Sequence, residues 1–176
     1  MTFAELSKEQ QLDEDQLAWP RLFLNGGITG CVNWQPQFTQ FFADSNIILF
    51  DPRRDEYDPD EPDIDRQQIT WEFEHRAISC AHSFWFTPET LCPITLFELG
   101  KSLVEPLGVH VISNAETNSP IVTYDRRLVC IGIDPGYQRK SDIEIQAELC
   151  GHCAPIVYSL EDLAQQVKDW LGVGTS

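Results

Sequence analysis

The feature that most limits what this chain can fold into is a series of short apolar runs. Each is stopped by turn-forming residues and followed by helical spacing. RLFLN (Arg21–Asn25) stops at Gly26-Gly27 and gives way to a helix carrying Trp34, Phe38, Phe41 and Phe42. NIILF (Asn46–Phe50) ends abruptly in Asp51-Pro52-Arg53-Arg54, and DEYDPDEPDID after it is a charged, proline-broken loop. Helical spacing resumes from about Asp65, with Ile69, Phe73, Ala77 and Cys80 at roughly i, i+4 intervals. SFWFT (Ser83–Thr87) is a third apolar strand, and a helix from Pro93 to about Leu107 follows it. VHVI and IVTY flank a turn and suggest a hairpin. LVCIGI (Leu128–Ile133) is another buried strand, followed by DPGY and a helix near Ser141–Leu149. PIVY (Pro155–Tyr158) reads as a last strand, and SLEDLAQQVKDWL as an amphipathic closing helix capped by Ser159.

Strands that alternate with helices predict an α/β domain with a mainly parallel sheet. At 176 residues, of which 42% are hydrophobic, the chain suits one domain with a sizeable core. That domain is expected over residues 20–176, behind a polar, acidic extension at 1–19. No apolar run reaches the ~18 residues of a membrane span, and the N-terminus lacks a basic-then-apolar signal, so a cytoplasmic location is the default. The six cysteines are scattered in apolar contexts and read as reduced thiols. A net charge of −16 argues against nucleic acid held through its backbone. It leaves room for a small anionic substrate held by a local arginine cluster.

In parallel sheets the ligand sits beyond the carboxyl ends of the strands. That rule gathers Asn25-Gly26-Gly27, Asp51-Pro52-Arg53-Arg54, the Thr87–Glu98 connection and Asp134-Pro135-Gly136-Tyr137 at one edge. The two glycines either let backbone N–H groups approach a ligand or form a plain tight turn; no GxGxxG supports a dehydrogenase-type dinucleotide site. Arg53 and Arg54 either meet a substrate anion or pair with Asp51 and Asp55 at the surface, and Asp51 can bind sugar hydroxyls. In ITWEFEH, Trp71 beside Glu72 suits a nucleobase, with a stacking ring and an orienting acid. A core tryptophan beside a solvated glutamate is the alternative.

Glu98 is the sharpest candidate. It lies in PITLFELG (Pro93–Gly100) among Ile94, Leu96, Phe97 and Leu99. A buried carboxylate loses hydration at a cost of several kcal/mol unless it is compensated. Glu98 is therefore either turned to solvent or placed where it can attack an anomeric carbon. Cys150-Gly151-His152-Cys153 has the letters of a disulfide isomerase motif. It follows a helix and precedes a strand, the reverse of the thioredoxin-like context, and three ligands do not complete a zinc site. A helix-to-strand turn fits better.

Taken in order, LFLNGGITG…NWQ, FDPRRD, QQITWEFEH, FWFTPETLCPITLFELG and GIDPGYQRKSDIEIQ resemble the nucleoside 2-deoxyribosyltransferase-like proteins, over roughly Leu22 to Gln146. The resemblance implies a Rossmann-like, flavodoxin-type doubly wound sheet, an N-glycosidic bond as target, and Glu98 as the nucleophile of a covalent glycosyl intermediate. With a nucleoside or nucleotide as substrate, the candidate binding residues are Asn25, Gly26, Gly27, Trp34, Asp51, Arg53, Arg54, Trp71, Glu72 and His82. The resemblance further implies no metal or organic cofactor, and a homo-oligomer. Two positions depart from the family. Cys92 stands six residues before Glu98, where the transferases carry an aspartate. Ala81-His82-Ser83 replaces a second aspartate at the start of the third strand. His82 either takes over proton transfer or is a satisfied histidine at a strand edge. The alternatives to a glycosyl-transfer enzyme are a nucleotide-binding module of the same fold, an NAD glycohydrolase and, last, a disulfide oxidoreductase.

Overall fold

A computed structural model describes residues 18–54, 62–104, 106–113 and 120–173. Nearly all of the expected acidic extension, and residues 55–61 of the charged loop, lie outside that set. In chain order the elements are β1 (Arg21–Gly26), α1 (Gln35–Gln40), β2 (Ile48–Phe50), α2 (Ile64–Ile78), β3 (Ala81–Phe86), α3 (Pro93–Val104), β4 (Pro106–Ser113), β5 (Pro120–Arg126), β6 (Leu128–Ile133), α4 (Lys140–Leu149) and α5 (Leu160–Leu171). β1, β2, β3 and β6 form a four-stranded sheet in the order β2-β1-β3-β6, with every pairing parallel. β4 and β5 form the expected hairpin as a separate antiparallel pair.

The sheet is covered on both faces because its strands alternate. Leu22 and Leu24 of β1, Leu49 of β2, Ala81 and Trp85 of β3 and Cys130 of β6 share one core cluster with Trp34, Phe38 and Phe42 around α1 and with Leu163, Ala164 and Val167 of α5. The intervening residues of β3 and β6 (Phe84, Phe86, Val129, Ile131 and Ile133) meet Leu99 and Leu103 of α3 and Ile143 and Ala147 of α4. Phe23, Ile48 and Phe50 form a third group with Trp71 of α2 packed on it. Strand side chains point to opposite faces in turn, so each buried strand feeds two cores. The result is the doubly wound α/β fold expected, with flavodoxin-like strand order.

Three elements differ from the sequence reading. PIVY contributes a single parallel bridge, Val157 to Gly132, held by Val157 N–H to Ile131 O (3.0 Å) and Ile133 N–H to Val157 O (2.9 Å). Pro155 has no N–H to extend the ladder, and Ser159 already turns to cap α5, its Oγ accepting from Asp162 N–H at 3.0 Å. α3 ends at Val104 instead of reaching about Leu107, because Pro106 cannot continue a helix.

The third difference concerns α2. Its apolar stripe faces outward: Ile69 is 64% and Phe73 63% exposed, while Arg76 is 8% exposed on the opposite side. The inward face of α2 is mixed, with Ile64 and Trp71 packed inward beside Gln68, Glu72 and Arg76.

Candidate functional site

The four segments expected at the carboxyl edge do meet there. Arg53 Nη2 donates to Ile28 O (2.9 Å) and Gly27 O (3.5 Å), tying the loop after β2 to the turn after β1. The backbone at Gly27 lies so close to the loop after β3 that a Cβ there would stand 2.9 Å from Thr87 Oγ1 and 3.2 Å from Cys92 Sγ. Tyr137 Oη donates to Leu91 O (2.9 Å), anchoring that loop to the segment after β6. The same segment is braced from within, since Gly136 N–H donates to Asp134 Oδ1 (2.8 Å).

Glu98 enters this edge from α3. On that helix Thr95, Leu99, Ser102 and Leu103 are buried, while Ile94, Phe97, Lys101 and Val104 face out. Glu98 falls on the boundary, with 17% of its side chain exposed, and its Oε2 lies 3.1 Å from Arg76 Nη1. Opposing effects then compete for its proton. Burial disfavours the charged carboxylate and is the larger, Arg76 favours it, and the nearby Glu72 opposes it. The outcome is a pKa pushed up to about 7.

Arg76 is the centre of a buried polar network that the sequence reading missed. Nη1 also donates to Asn25 Oδ1, and Nη2 donates to Ser102 Oγ (3.1 Å) and Glu98 O (3.4 Å). The guanidinium carbon lies 5.6 Å from the centre of the Phe23 ring. Asn25 uses its other end as a bracket, Nδ2 donating to Ser83 O (3.0 Å) and Phe23 O (3.3 Å). His82, 1% exposed, sits behind this network, with Nδ1 3.0 Å from Ser102 Oγ and Nε2 3.0 Å from Arg127 Nη1 and 3.1 Å from Arg76 O. Burial, and then the charges of Arg76 and Arg127, lower its pKa to about 3, so the ring is neutral. Nε2 faces both the Arg127 guanidinium, which can only donate, and Arg76 O, which can only accept, while Nδ1 meets the Ser102 hydroxyl, which can do either. His82 is thus buried with polar contacts on both ring nitrogens. The spacing that could have revealed Arg76 is Gln68, Glu72 and Arg76 at i, i+4, opposite the apolar stripe of α2.

Glu72 lies on the inward side of α2, next to Trp71. Its Oε1 accepts from Gln68 Nε2 (2.6 Å), which also donates to Pro52 O (2.8 Å). Burial pushes its pKa up, with Gln68, Arg76 and Arg54 pulling the other way. Trp71 packs among Phe23 and Phe50 and is stacked on His75 at 4.1 Å, so one of its faces is already covered. Trp34 is core: its ring lies against Gly26, where a Cβ would come within 2.5 Å of Cζ2, and its Nε1 donates to Gly27 O (3.1 Å). Asp51 is buried and accepts from Arg53 N–H (2.9 Å), closing the turn after β2.

Cys92 is buried, has a left-handed backbone (φ 48°), and carries a thiol whose pKa burial raises. It supplies a neutral group where the resemblance leads one to look for a carboxylate. Cys150 to Cys153 form the expected turn after α4, with Gly151 at φ 71°, and all six cysteines are free thiols. Among the described residues no group of three or more His, Cys, Asp or Glu is placed to hold a metal ion, and no helix is long and apolar enough to cross a membrane.

A four-stranded, all-parallel sheet flanked by helices, with a largely buried carboxylate at its carboxyl edge, defines a Rossmann-like α/β protein. The chain belongs to the nucleoside 2-deoxyribosyltransferase-like family, whose model matches residues 19–113, just over half the chain. That stretch contains Asn25, Glu72, Arg76 and Glu98, and stops short of the loop after β6. Comparison with curated proteins gave no match. Membership of the family implies a small-molecule substrate of nucleoside type.

Proposed function

We propose that the protein cleaves or transfers the N-glycosidic bond of a nucleoside or nucleotide through a covalent ester on Glu98. The observation that carries this reading is Glu98 itself, a carboxylate held by Arg76 at the carboxyl edge of the sheet with its pKa lifted to about 7. In the first displacement a carboxylate oxygen bonds to C1′ as the C1′–N bond breaks, and the base departs with the bonding electrons. Glu72, whose pKa burial raises, is the group proposed to supply the proton that the departing base takes up. In the second, water or another base attacks C1′ and gives its proton to Glu72 while the C1′–O bond breaks and the carboxylate is released, giving retained configuration.

Chromatography after incubation with deoxynucleosides, ribonucleosides, their monophosphates and NAD, with and without an acceptor base, tests the reading and names the substrate. Release or exchange of base that disappears in Glu98→Ala is the expected result. No release from any member of the panel, by protein shown to be folded, overturns it. The nucleoside and nucleotide arms are separated because Arg53 and Arg54 make a 5′-phosphate a candidate group. The neutral thiol of Cys92 favours a second reading, a nucleotide-binding module without turnover. Saturable binding by calorimetry with no base released identifies that case.

We also propose a homo-oligomer joined through the outer faces of α2 and α3. Lys101 Nζ lies 5.2 Å from the Phe73 ring centre, which joins the two helices into one surface with Ile69, Ile94, Phe97 and Val104, each well exposed. An apolar surface of this kind beside a ligand site is characteristic of an interface.

A further inference from the structure

We propose that Arg76 is a positioning residue for Glu98: it pins one carboxylate oxygen, leaving the other to attack, and holds the charge that draws Glu98 back out of its ester. The second half of this statement rests on Glu98 being the nucleophile.

The geometry supports the first half. Arg76 Nη1 reaches Glu98 Oε2 at 3.1 Å, while Nη2 holds Glu98 O and Ser102 Oγ on the same helix. One planar group therefore fixes both the carboxylate and the backbone that carries it. The guanidinium is fixed in turn by Asn25 at the end of β1, whose amide is bonded to two strand carbonyls. A lysine cannot do this, because a single ammonium lacks the fork that spans acceptors on two elements. Oε2 is committed to Arg76, so Oε1 is the atom with freedom to bond to C1′.

Charge supports the second half. When Oε1 bonds to C1′, the negative charge of Glu98 is lost to the ester. Asn25 Oδ1, Ser102 Oγ and Glu98 O, which also accept from Arg76, are neutral and do not replace that charge. The second displacement breaks C1′–Oε1, returns the electron pair to the carboxylate and restores the ion pair. Arg76 thereby favours breakdown of the intermediate, at the cost of steadying the carboxylate before attack.

The test is a pH titration of Glu98 by NMR of protein labelled with carbon-13 at the glutamate carboxyl, using Glu98→Gln to assign the signal. Arg76→Gln and Arg76→Lys are compared with the wild type. Loss of an opposite charge in contact raises a carboxyl pKa by roughly one to three units. The Glu98 midpoint is expected to rise by that amount in Arg76→Gln and to be restored in part in Arg76→Lys. A midpoint unchanged in folded Arg76→Gln overturns the proposal. Should that variant not fold, Arg76→Lys and Asn25→Asp decide, the latter adding a competing anion at Nη1 that is expected to raise the midpoint; no movement in either overturns it. Intact-mass analysis after mixing with the turned-over substrate then reads the second half: a glycosyl adduct accumulates in Arg76→Gln and not in the wild type. Titration does not depend on turnover. A shifted midpoint without base release sinks the glycosyl reading and leaves the hold on Glu98 standing, whereas base release with a static midpoint does the reverse.

Discussion

Glu98 and His82 both contact Arg76, and burial moves their protons in opposite senses. Glu98 has its pKa raised from 4.5 to about 7, so the folded state prefers its neutral form. Its contribution to stability is full below about 4.5 and is lost as pH rises toward 7. Glu98→Gln keeps an acceptor for Arg76 without the charge. It is therefore expected to raise Tm at alkaline pH, with the gain vanishing on acidification, while abolishing turnover. Thermal melts across pH check this, and a variant less stable than wild type at alkaline pH contradicts it. His82 has its pKa lowered from 6.5 to about 3 by burial, Arg76, Arg127 and, most weakly, Lys101. Its contribution is full above 6.5 and is lost as pH falls toward 3, because the unfolded state takes up the proton more readily. Denaturant titrations of the wild type and His82→Asn are expected to show a steeper acid loss in the wild type over that interval. Parallel pH profiles contradict the assignment. If the nucleophile must be ionised, kcat/KM rises with pH through about 7.

Among the elements, α2 is the one whose pattern points away from its role. Its stripe of Ile69 and Phe73 repeats at helical spacing yet faces outward, and the side toward the sheet carries Gln68, Glu72 and Arg76 beside Ile64 and Trp71. Periodicity reports that a helix has two faces, and it does not report which face is inside. α5 behaves in the ordinary way: Leu163, Ala164 and Val167 are buried, and Ser159 caps its first turn. Ser159→Ala is expected to cost about 1 kcal/mol, read as a lowered denaturation midpoint. At the end of β1 the constraint is tighter. A Cβ on Gly26 would meet both the Trp34 ring and Trp85 O, the latter a backbone atom at 2.8 Å that cannot swing away. Gly26→Ala is expected to destabilise by about 1–3 kcal/mol, as overpacking generally does.

For the whole molecule, the net charge of −16 and the outward apolar faces of α2 and α3 set how it meets other molecules. A nucleoside monophosphate is repelled at long range by such a chain, while an uncharged nucleoside is not. Added salt is therefore expected to raise kcat/KM for the monophosphate and to leave that for the nucleoside nearly flat. Equal salt responses sink this account. Phe97→Glu places a charge at the centre of the exposed α3 stripe and is expected to yield a smaller species by light scattering. A wild type that is already monomeric at working concentration refutes the interface.

The positions of the four sheet strands and the hairpin, the closing helix and its cap, and the gathering of four polar segments at one edge were legible in the sequence. They depend on local chemistry: apolar runs of strand length, glycine and proline stops, and the rule that parallel strands present their carboxyl ends together. Glu98 was legible too, as a charge inside an apolar run. Only the tertiary structure decided what holds it. Arg76, Asn25 and Ser102 come from α2, β1 and α3, and their meeting depends on which face of α2 turns inward. That choice is made by the summed packing and hydrogen bonding of the assembled sheet, which no local pattern carries. The same assembly gave Trp34 to the core, Arg53 to the glycine turn and His82 to a buried network. It also cut PIVY to a single bridge where Pro155 and the cap at Ser159 leave the ladder no room.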